Sequence, residues 1–314
     1  MSSERSWERE TIEKLASASL REQKANRRWG IFFKILFFGY IVFISFSFFD
    51  LFDFPSSPVS GQHTGLVQVF GEIGLEQDAS AGNVINGLRE AFKNSGTKGV
   101  IIHINSPGGS PAQSRRIFKN ILELKEDYPE IPVYAVVEDI CASGAYYVAV
   151  AADKIFVDPA SIVGSIGVVI NGFGFSESLK KLGIQRRLFT AGDNKGFLDP
   201  FSDLNPSHEK HVLALLEQIH QQFKRNVKTS RGDRLAENRD IFSGLIWTGE
   251  ESIKLGLVDH IGTIDYVAKE IIGAEVIMNF SHEPHFFDKL ATEISGKVFD
   301  IALSFFYEQQ FVVK

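Results

Sequence analysis

The 314-residue sequence contains a single cysteine, Cys141, so no intrachain disulfide can form and a disulfide-stapled scaffold is excluded. Clusters of cysteine and histidine are also missing, which argues against a bound metal. The formal net charge is −6, and the body of the chain has no basic run with interleaved aromatic residues. Nucleic acid, whose phosphates attract basic surfaces, is therefore not an expected partner.

A long apolar run extends from Trp29 to Phe49 and carries one charge, Lys34, near its start. A bilayer core of about 30 Å needs about 20 apolar residues in a helix, so we predict a transmembrane helix over residues 29–49. A cleaved signal peptide is the rival interpretation, although no small-x-small cleavage site follows Phe49. A buried core helix fits less well, because the run is apolar on every face.

The charges on either side of this run are unequal. Four basic residues lie between residues 21 and 28, and two aspartates follow by residue 53. The positive-inside rule then places residues 1–28 in the cytoplasm and the rest of the chain across the membrane. Residues 50–65 are rich in proline, serine and glycine, which predicts a linker.

Beyond the linker, strand-like and helix-like patterns alternate, which predicts an α/β domain with a mostly parallel sheet over residues 66–275. An apolar stripe on the last long helix, which we expect Ser207 to cap, predicts core packing. The final residues, 276–314, form an amphipathic extension that fits a packing helix, an oligomer contact or a membrane-surface helix. The predicted strands are 66–70, 99–105, 132–137, 154–157, 166–170 and 186–190, and the predicted helices are 81–93, 111–124, 143–152 and 207–228.

Ser143 is a candidate nucleophile because it stands among small residues at the start of a predicted helix. Small neighbours allow a substrate backbone to approach closely. The motif is not Gly-x-Ser-x-Gly, so the nucleophile elbow of α/β-hydrolases is not supported. A helix N-cap is an equally good interpretation of this serine.

The turn Asn105–Gly109 follows a buried-strand pattern and precedes a helix. Its two glycines leave backbone N–H groups free to point at a ligand, as a tetrahedral oxyanion requires. A plain strand-to-helix turn or an anion nest would have the same sequence.

A nucleophilic serine needs a base. His103 lies inside a buried-strand pattern, which favours a structural sheet histidine, and His208, His211 and His220 fall on one predicted helix as solvated side chains. A lysine can serve when burial lowers its pKa. Lys195 lies between Gly192 and Gly196, which permit a tight loop.

Residues 64–275 resemble the signal peptide peptidase A family, the S49 serine proteases. The spacing between Ser143 and Lys195 agrees with the short, single-domain members of that family. The motifs that carry the resemblance are NSPGG at 105–109, ASGAYY at 142–147, VGSIGV at 163–168, AGDNKG at 191–196 and WTGEESIKLGLVDHIG at 247–262.

The resemblance implies a role for each candidate. Ser143 would be the nucleophile, Lys195 the general base, and Ser165 a hydrogen-bonding partner that orients the lysine. The N–H groups of Gly109 and Gly144 would form the oxyanion hole, and no cofactor would be needed. The implied fold is a ClpP/crotonase-like α/β spiral.

Together these features predict a membrane-anchored serine endopeptidase that degrades remnant signal peptides and other extended apolar segments. The resemblance implies a ring-shaped homo-oligomer in which neighbouring protomers complete each site. We expect a single-pass protein of the bacterial cytoplasmic membrane, in contact with the lipid bilayer, with its catalytic domain on the extracytoplasmic side. The alternatives are a crotonase-like acyl-CoA enzyme and a catalytically inactive membrane scaffold. Two departures from the family, Ala145 after Gly144 and Cys141 in place of a common alanine, bear on the shape of the substrate pocket.

Overall fold

A computed structural model describes residue 21, residues 23–44 and residues 61–282. The predictions for residues 1–20, for the end of the apolar run at 45–49, for the linker over 50–60 and for residues 283–314 lie outside the described residues. Residues 23–44 form a helix, α1, and all of its large apolar side chains except Ile44 are exposed. Within the described ranges, no helix combines the length and the hydropathy needed to cross a membrane.

Residues 61–282 form a unit of their own, built on one eight-stranded sheet. The strands are β1 His63–Ile73, β2 Thr97–Gly109, β3 Val133–Ala142, β4 Lys154–Val157, β5 Ile162–Gly164, β6 Ile246–Thr248, β7 His260–Ile261 and β8 Ile277–Asn279. The main order is β6-β5-β3-β2-β1-β8, and β4 pairs with β3 and β7. Every pair is parallel except β5 with β6. This arrangement confirms the predicted mixed α/β fold.

Helices connect most of these strands, and five of them begin at a side-chain cap that satisfies a free N–H group of the first turn. Ser80 caps α2, Ser110 caps α3, Asn205 caps α6, Thr248 caps α7 and Thr263 caps α8. Asn205 takes the role predicted for Ser207, because Pro206 occupies the first helical position. The helices are α2 Ala81–Lys93, α3 Pro111–Asp127, α4 Gly144–Ala149, α5 Ser176–Lys181, α6 Pro206–Arg231, α7 Gly249–Lys254 and α8 Ile264–Tyr266, which continues as a π-helical turn, Val267–Ile272.

The sheet is buried on both faces over much of its width, which explains the continuous apolar run in β2. Ile102 and Ile104 point into the larger core cluster, shared with buried residues of α2, α3 and α4, whereas Ile101 points into a smaller cluster with Val267. Successive side chains of a strand alternate between faces, so a strand covered on both sides reads as uninterrupted hydrophobicity.

Two predicted strands, 166–170 and 186–190, are wrong, since neither forms a ladder in the described sheet. Both belong to residues 166–205, which we call the lobe. An apolar run becomes a strand only where a neighbouring strand accepts its hydrogen bonds. Here β5, the last strand before the lobe, is paired on both sides, with β3 and with β6. Ile166 at the start of the lobe is buried, but most of the lobe's large apolar side chains are exposed. The exposed ones are Val169, Ile170, Phe173, Phe175, Leu182, Ile184, Leu188, Phe189, Leu198, Phe201 and Leu204.

The apolar stripe of α6 also departs from the prediction of core packing. Phe223 and Val227 of the stripe are buried. On the first half of the helix, Leu215 is exposed, and the other stripe residues, Val212, Leu216 and Ile219, are only half-buried. Only the second half of the helix lies on the core, and the first half extends beside the lobe.

A buried ion pair fixes the end of α6. The side chain of Arg231 is only 2% exposed. Its two terminal nitrogens donate hydrogen bonds to the two carboxylate oxygens of Asp259, at 2.8 and 2.9 Å. Asp259 also accepts from the Ile155 N–H at 2.8 Å, at the start of β4. Burial raises the pKa of Asp259, but the hydrogen bonds and charge of Arg231 outweigh it and leave this pKa below its usual value.

We expect Asp259→Ala to lower the free energy of unfolding by about 3–5 kcal/mol, because it leaves a buried guanidinium without its partner. Lys254→Ala, which breaks an exposed pair with Glu251, is the matched control and should leave the unfolding midpoint unchanged. Because the folded-state pKa of Asp259 is depressed, its contribution should be complete above the unfolded pKa of about 3.9 and should vanish as the pH falls through the folded-state pKa. Urea titrations between pH 3 and 7 measure both effects. Equal midpoints for Asp259→Ala and the wild type at pH 7 would contradict the prediction.

Candidate active site

The parallel strands β1, β2, β3 and β5 end at one edge of the sheet, and this edge assembles most of the predicted site. The ladder pairs Ile73 with Gly109 and Ala142 with Gly164. The residues that follow β3 and β5 are Ser143 and Ser165, so the sheet register places these two serines side by side. In parallel α/β sheets this carboxyl edge is where ligands bind.

Ser143 forms the turn between β3 and α4 in a strained backbone conformation, with φ 52° and ψ −119°. A non-glycine residue in this region costs on the order of 1–3 kcal/mol and persists only where its surroundings hold it. Its N–H donates to the Gly164 carbonyl at 2.8 Å, and its carbonyl accepts from the Tyr147 N–H at 3.0 Å. Its hydroxyl does not cap the helix, so the N-cap interpretation explains only the position of this residue. A strand–serine–helix turn of this kind presents the hydroxyl at the sheet edge.

The glycines of the Asn105–Gly109 turn are required by their contacts with Ser143 and β1. Gly108 has φ +99°, and a Cβ there would lie 2.6 Å from the Gly144 nitrogen and 2.9 Å from Ser143 Cβ. Gly109 has φ +144°, and a Cβ there would lie 2.3 Å from the Ile73 carbonyl oxygen. No other residue type would let this turn pack against the serine.

The two predicted oxyanion-hole residues are neighbours. A Cβ on Gly144 would lie 3.2 Å from the Gly109 nitrogen. Within residues 61–282, no carbonyl or side chain accepts a hydrogen bond from the Gly144 N–H, the first of α4. An N–H without an acceptor, beside a serine hydroxyl, suits the stabilisation of a developing oxyanion.

Two serines that the sequence did not single out support this arrangement. Ser106 is fully buried and its hydroxyl accepts from the Gly108 N–H at 3.1 Å. The hydroxyl of Ser114 donates to the Ser110 carbonyl at 3.0 Å and faces Gly144, where a Cβ would come within 2.4 Å of it. The sequence could have indicated Ser106, because it lies inside the Asn105–Gly109 motif. The only sequence feature of Ser114 is its position one turn after Ser110, the cap of α3.

A small cavity of about 30 Å³ opens beside Ser143. Its walls are mainly apolar, with Tyr147, Val168, Ile219 and Phe223 among them. Its size suits a single small side chain or a water molecule.

Lys195 lies elsewhere in the same chain. Its side chain is exposed, it is absent from the lining of the Ser143 cavity, and no hydrogen bond among the described residues joins it to Ser143 or Ser165. It belongs to a series of tight turns in the lobe, beginning with the Lys195 N–H to Gly192 carbonyl bond of 3.1 Å. Its role as the base stays a prediction.

Among residues 61–282, no histidine forms a hydrogen bond with Ser143. His103 pairs with Glu138 at 3.2 Å and lines a different cavity, as expected of a structural sheet histidine. Burial lowers the pKa of His103, and the charge and hydrogen bond of Glu138 oppose that shift. Of the helix histidines expected to be solvated, His211 is exposed, as predicted. The expectation is wrong for the other two, because His208 bonds Asn194 and His220 lies 3.0 Å from the Ile166 carbonyl oxygen. The described residues contain no cluster that could hold a metal.

The sequence profile of peptidase family S49 matches residues 125–275. The chain is 30% identical over 192 residues to a putative signal peptide peptidase SppA of Enterococcus faecium, covering 60% of this chain and 55% of that protein. It is 45% identical over 189 residues to a Brucella abortus protein named Na(+)/H(+) antiporter NhaA, covering 60% of this chain and 26% of that one. The chain thus spans between a quarter and about half of the length of these relatives.

Among solved structures, the chain is similar to a lysine mutant of 1510-N, a membrane-bound stomatin-specific protease, in complex with a substrate peptide. The sequences are 17% identical and the TM-score is 0.44. The alignment covers 76% of this chain and 100% of the other.

Proposed function

We propose, from the premise that this chain belongs to peptidase family S49, that it is a serine endopeptidase with Ser143 as its nucleophile. The observation that carries the proposal is the strained Ser143 turn. Its φ of 52° is held between β3 and α4, against a glycine turn whose Gly108 has no room for a side chain. Strain of this kind is retained where it positions a reacting group.

The reaction we propose is acyl transfer. The Ser143 Oγ attacks the peptide carbonyl carbon as its proton passes to a base, and the N–H groups of Gly109 and Gly144 hold the oxyanion. The base then returns the proton to the departing amine, which leaves an acyl-enzyme. Water, deprotonated by the same base, hydrolyses the ester and regenerates the serine. No cofactor takes part.

Lys195 is the proposed base, and Ser165 the residue that orients it. A base must come within about 3 Å of the hydroxyl that it activates. Because Lys195 is exposed and lies outside the Ser143 cavity, we propose that it acts on Ser143 of a neighbouring copy. The β3–β5 register, which brings Ser165 beside Ser143, supports the role proposed for Ser165.

The lobe supports assembly into a ring. Phe173 and Phe189 of the lobe are 81% and 90% exposed, and Leu213 of the neighbouring helix α6 is 59% exposed. A large group of exposed apolar side chains marks an interaction surface. Copies related by rotation could bury it and deliver Lys195 in the same step. A ClpP/crotonase-like spiral is the finer fold that we propose for this unit.

The proposed substrates are extended apolar segments, such as remnant signal peptides. The apolar walls of the Ser143 cavity suit such side chains, and a relative bears the name signal peptide peptidase. A membrane anchor over residues 29–49, with the catalytic unit on the extracytoplasmic face of a bacterial cytoplasmic membrane, would place the enzyme where these segments are released. The exposed apolar side chains of α1 are consistent with an anchor.

Labelling with a fluorophosphonate tests the assignment of the nucleophile. We expect the wild-type protein to gain one adduct on the peptide that contains Ser143, because the oxyanion hole binds the phosphonyl oxygen as it binds the reaction intermediate. Ser143→Ala should not be labelled, and Ser95→Ala, at an exposed turn, should be labelled normally. A crotonase-like enzyme or an inactive scaffold would form no adduct at Ser143. A wild-type protein without that adduct would therefore refute the proposal.

A further inference from the structure

Lys195 lies on a loop whose own hydrogen bonds do not fix its direction. The Lys195 N–H donates to the Gly192 carbonyl at 3.1 Å, and the Phe197 N–H donates to the Asn194 carbonyl at 3.1 Å. Both bonds close turns within the loop. They hold its local shape, but they do not connect it to the body of the protein.

The connection comes from the first turns of α6. His208 Nε2 donates to Asn194 Oδ1 at 3.2 Å, so it holds the residue immediately before Lys195. The ring of Phe197, two residues after Lys195, lies 5.0 Å from the ring of His208 and 5.7 Å from that of His211. The loop is therefore held by α6 on both sides of the lysine.

The far end of α6 is fixed. Phe223 and Val227 are buried in the main core, and Arg231 makes the ion pair with Asp259. At about 1.5 Å per residue, His208 lies roughly 22 Å along the helix from Phe223. The helix is thus a rigid arm that extends from the core to the Lys195 loop.

We infer that His208 is a positioning residue for Lys195, and that His211 assists it through Phe197. This inference rests on the proposed function, in which Lys195 is the base. His208 is absent from the lining of the Ser143 cavity, so in this role it would act only through the Lys195 loop. Its effect comes from holding the Asn194 amide, and a misplacement of about 1 Å in a catalytic group can reduce a rate by about 10²-fold.

The test is a set of substitutions measured with a peptide substrate. His208→Ala should lower kcat by about tenfold to a hundredfold and leave KM within about twofold, since the lost contact bears on the base and not on substrate binding. His208→Gln should recover most of kcat, because its amide can still donate to Asn194. Lys210→Ala, on the same turn of α6 and exposed, is the matched control and should be unaffected.

A double-mutant cycle separates positioning from a general structural effect. Asn194→Ala and His208→Ala remove the same hydrogen bond, so the double variant should be no slower than the slower single variant. The thermal midpoint and the oligomer mass of His208→Ala should match the wild type. Additive losses, failure of His208→Gln to recover activity, a changed oligomer mass or a wild-type kcat for His208→Ala would each overturn the inference.

The inference and the proposed function fail in different ways. If Lys195→Ala turns over normally, the assignment of the base is wrong and the inference falls with it. If Lys195→Ala is inactive while His208→Ala is normal, only the positioning role is wrong.

Discussion

A folded Lys195→Ala variant is expected to lose about 10³-fold or more of its peptide hydrolysis rate. Without the base, Ser143 keeps its proton at neutral pH, and only substrate binding and the oxyanion hole contribute. Ser143→Ala should lose a similar factor, because the two groups act as one unit. The measurement is kcat/KM on a fluorogenic apolar peptide, with circular dichroism to confirm that each variant is folded.

Lys195→Arg sharpens this prediction. Arginine keeps the positive charge and most of the length of lysine, but it cannot be deprotonated near neutral pH, so it cannot act as a base. We expect Lys195→Arg to be as inactive as Lys195→Ala, whereas Lys181→Ala, a second exposed lysine of the lobe, should retain activity. Recovery of the rate by arginine would mean that position 195 supplies only charge.

The part of the site that the sequence predicted is the part that is local. Ser143 follows a β-branched strand pattern and precedes a small-residue helix, and the Asn105–Gly109 turn joins a buried strand to a capped helix. Short-range preferences decide such features. The parallel order of the strands then brings Gly109, Ser143 and Ser165 to one edge, as the alternation of strands and helices implies.

What the sequence could not predict depends on distant partners. The runs 166–170 and 186–190 have strand-like composition, but in the part of the chain that the structure describes no strand pairs with either run. The stripe on α6 has core-like periodicity, yet its residue Leu215 is exposed. Periodicity indicates which face is apolar and cannot say what covers it. The contact of His208 with Asn194 needs the lobe to fold back on α6, for which no local pattern exists.

Our proposal that the site is completed between copies would account both for these exposed faces and for the absence of Lys195 from the Ser143 cavity. Shared sites make a prediction that a site within one chain cannot make. When inactive Ser143→Ala and inactive Lys195→Ala proteins are mixed in equal amounts and allowed to exchange subunits, activity should return. A site is intact when the chain that supplies Ser143 is a Lys195→Ala chain and its neighbour is a Ser143→Ala chain.

For random exchange in a closed ring, that pairing occurs at about one site in four, so we expect about a quarter of the wild-type rate. Mixing Ser143→Ala with the double variant, which also lacks Lys195, is the control and should give none, because no chain then carries Ser143. Native mass spectrometry of the mixture shows whether mixed oligomers have formed. If mixed oligomers form but show no activity, the Ser143 and Lys195 of each dyad, the pair that acts at one site, belong to the same chain.

A dilution experiment gives a second, independent measure of the same arrangement. When wild-type protein is mixed with an equal amount of the double variant, a dyad within one chain leaves about half of the sites intact, whereas a shared dyad leaves about a quarter, because both neighbours must be wild type. The two arrangements therefore differ by about twofold in rate at the same total protein, which an active-site titration resolves. A rate near one half after full exchange would contradict the shared site even if Lys195 is the base. A rate near one quarter would mean that Lys195, on the exposed lobe of one subunit, acts on Ser143 of the next subunit.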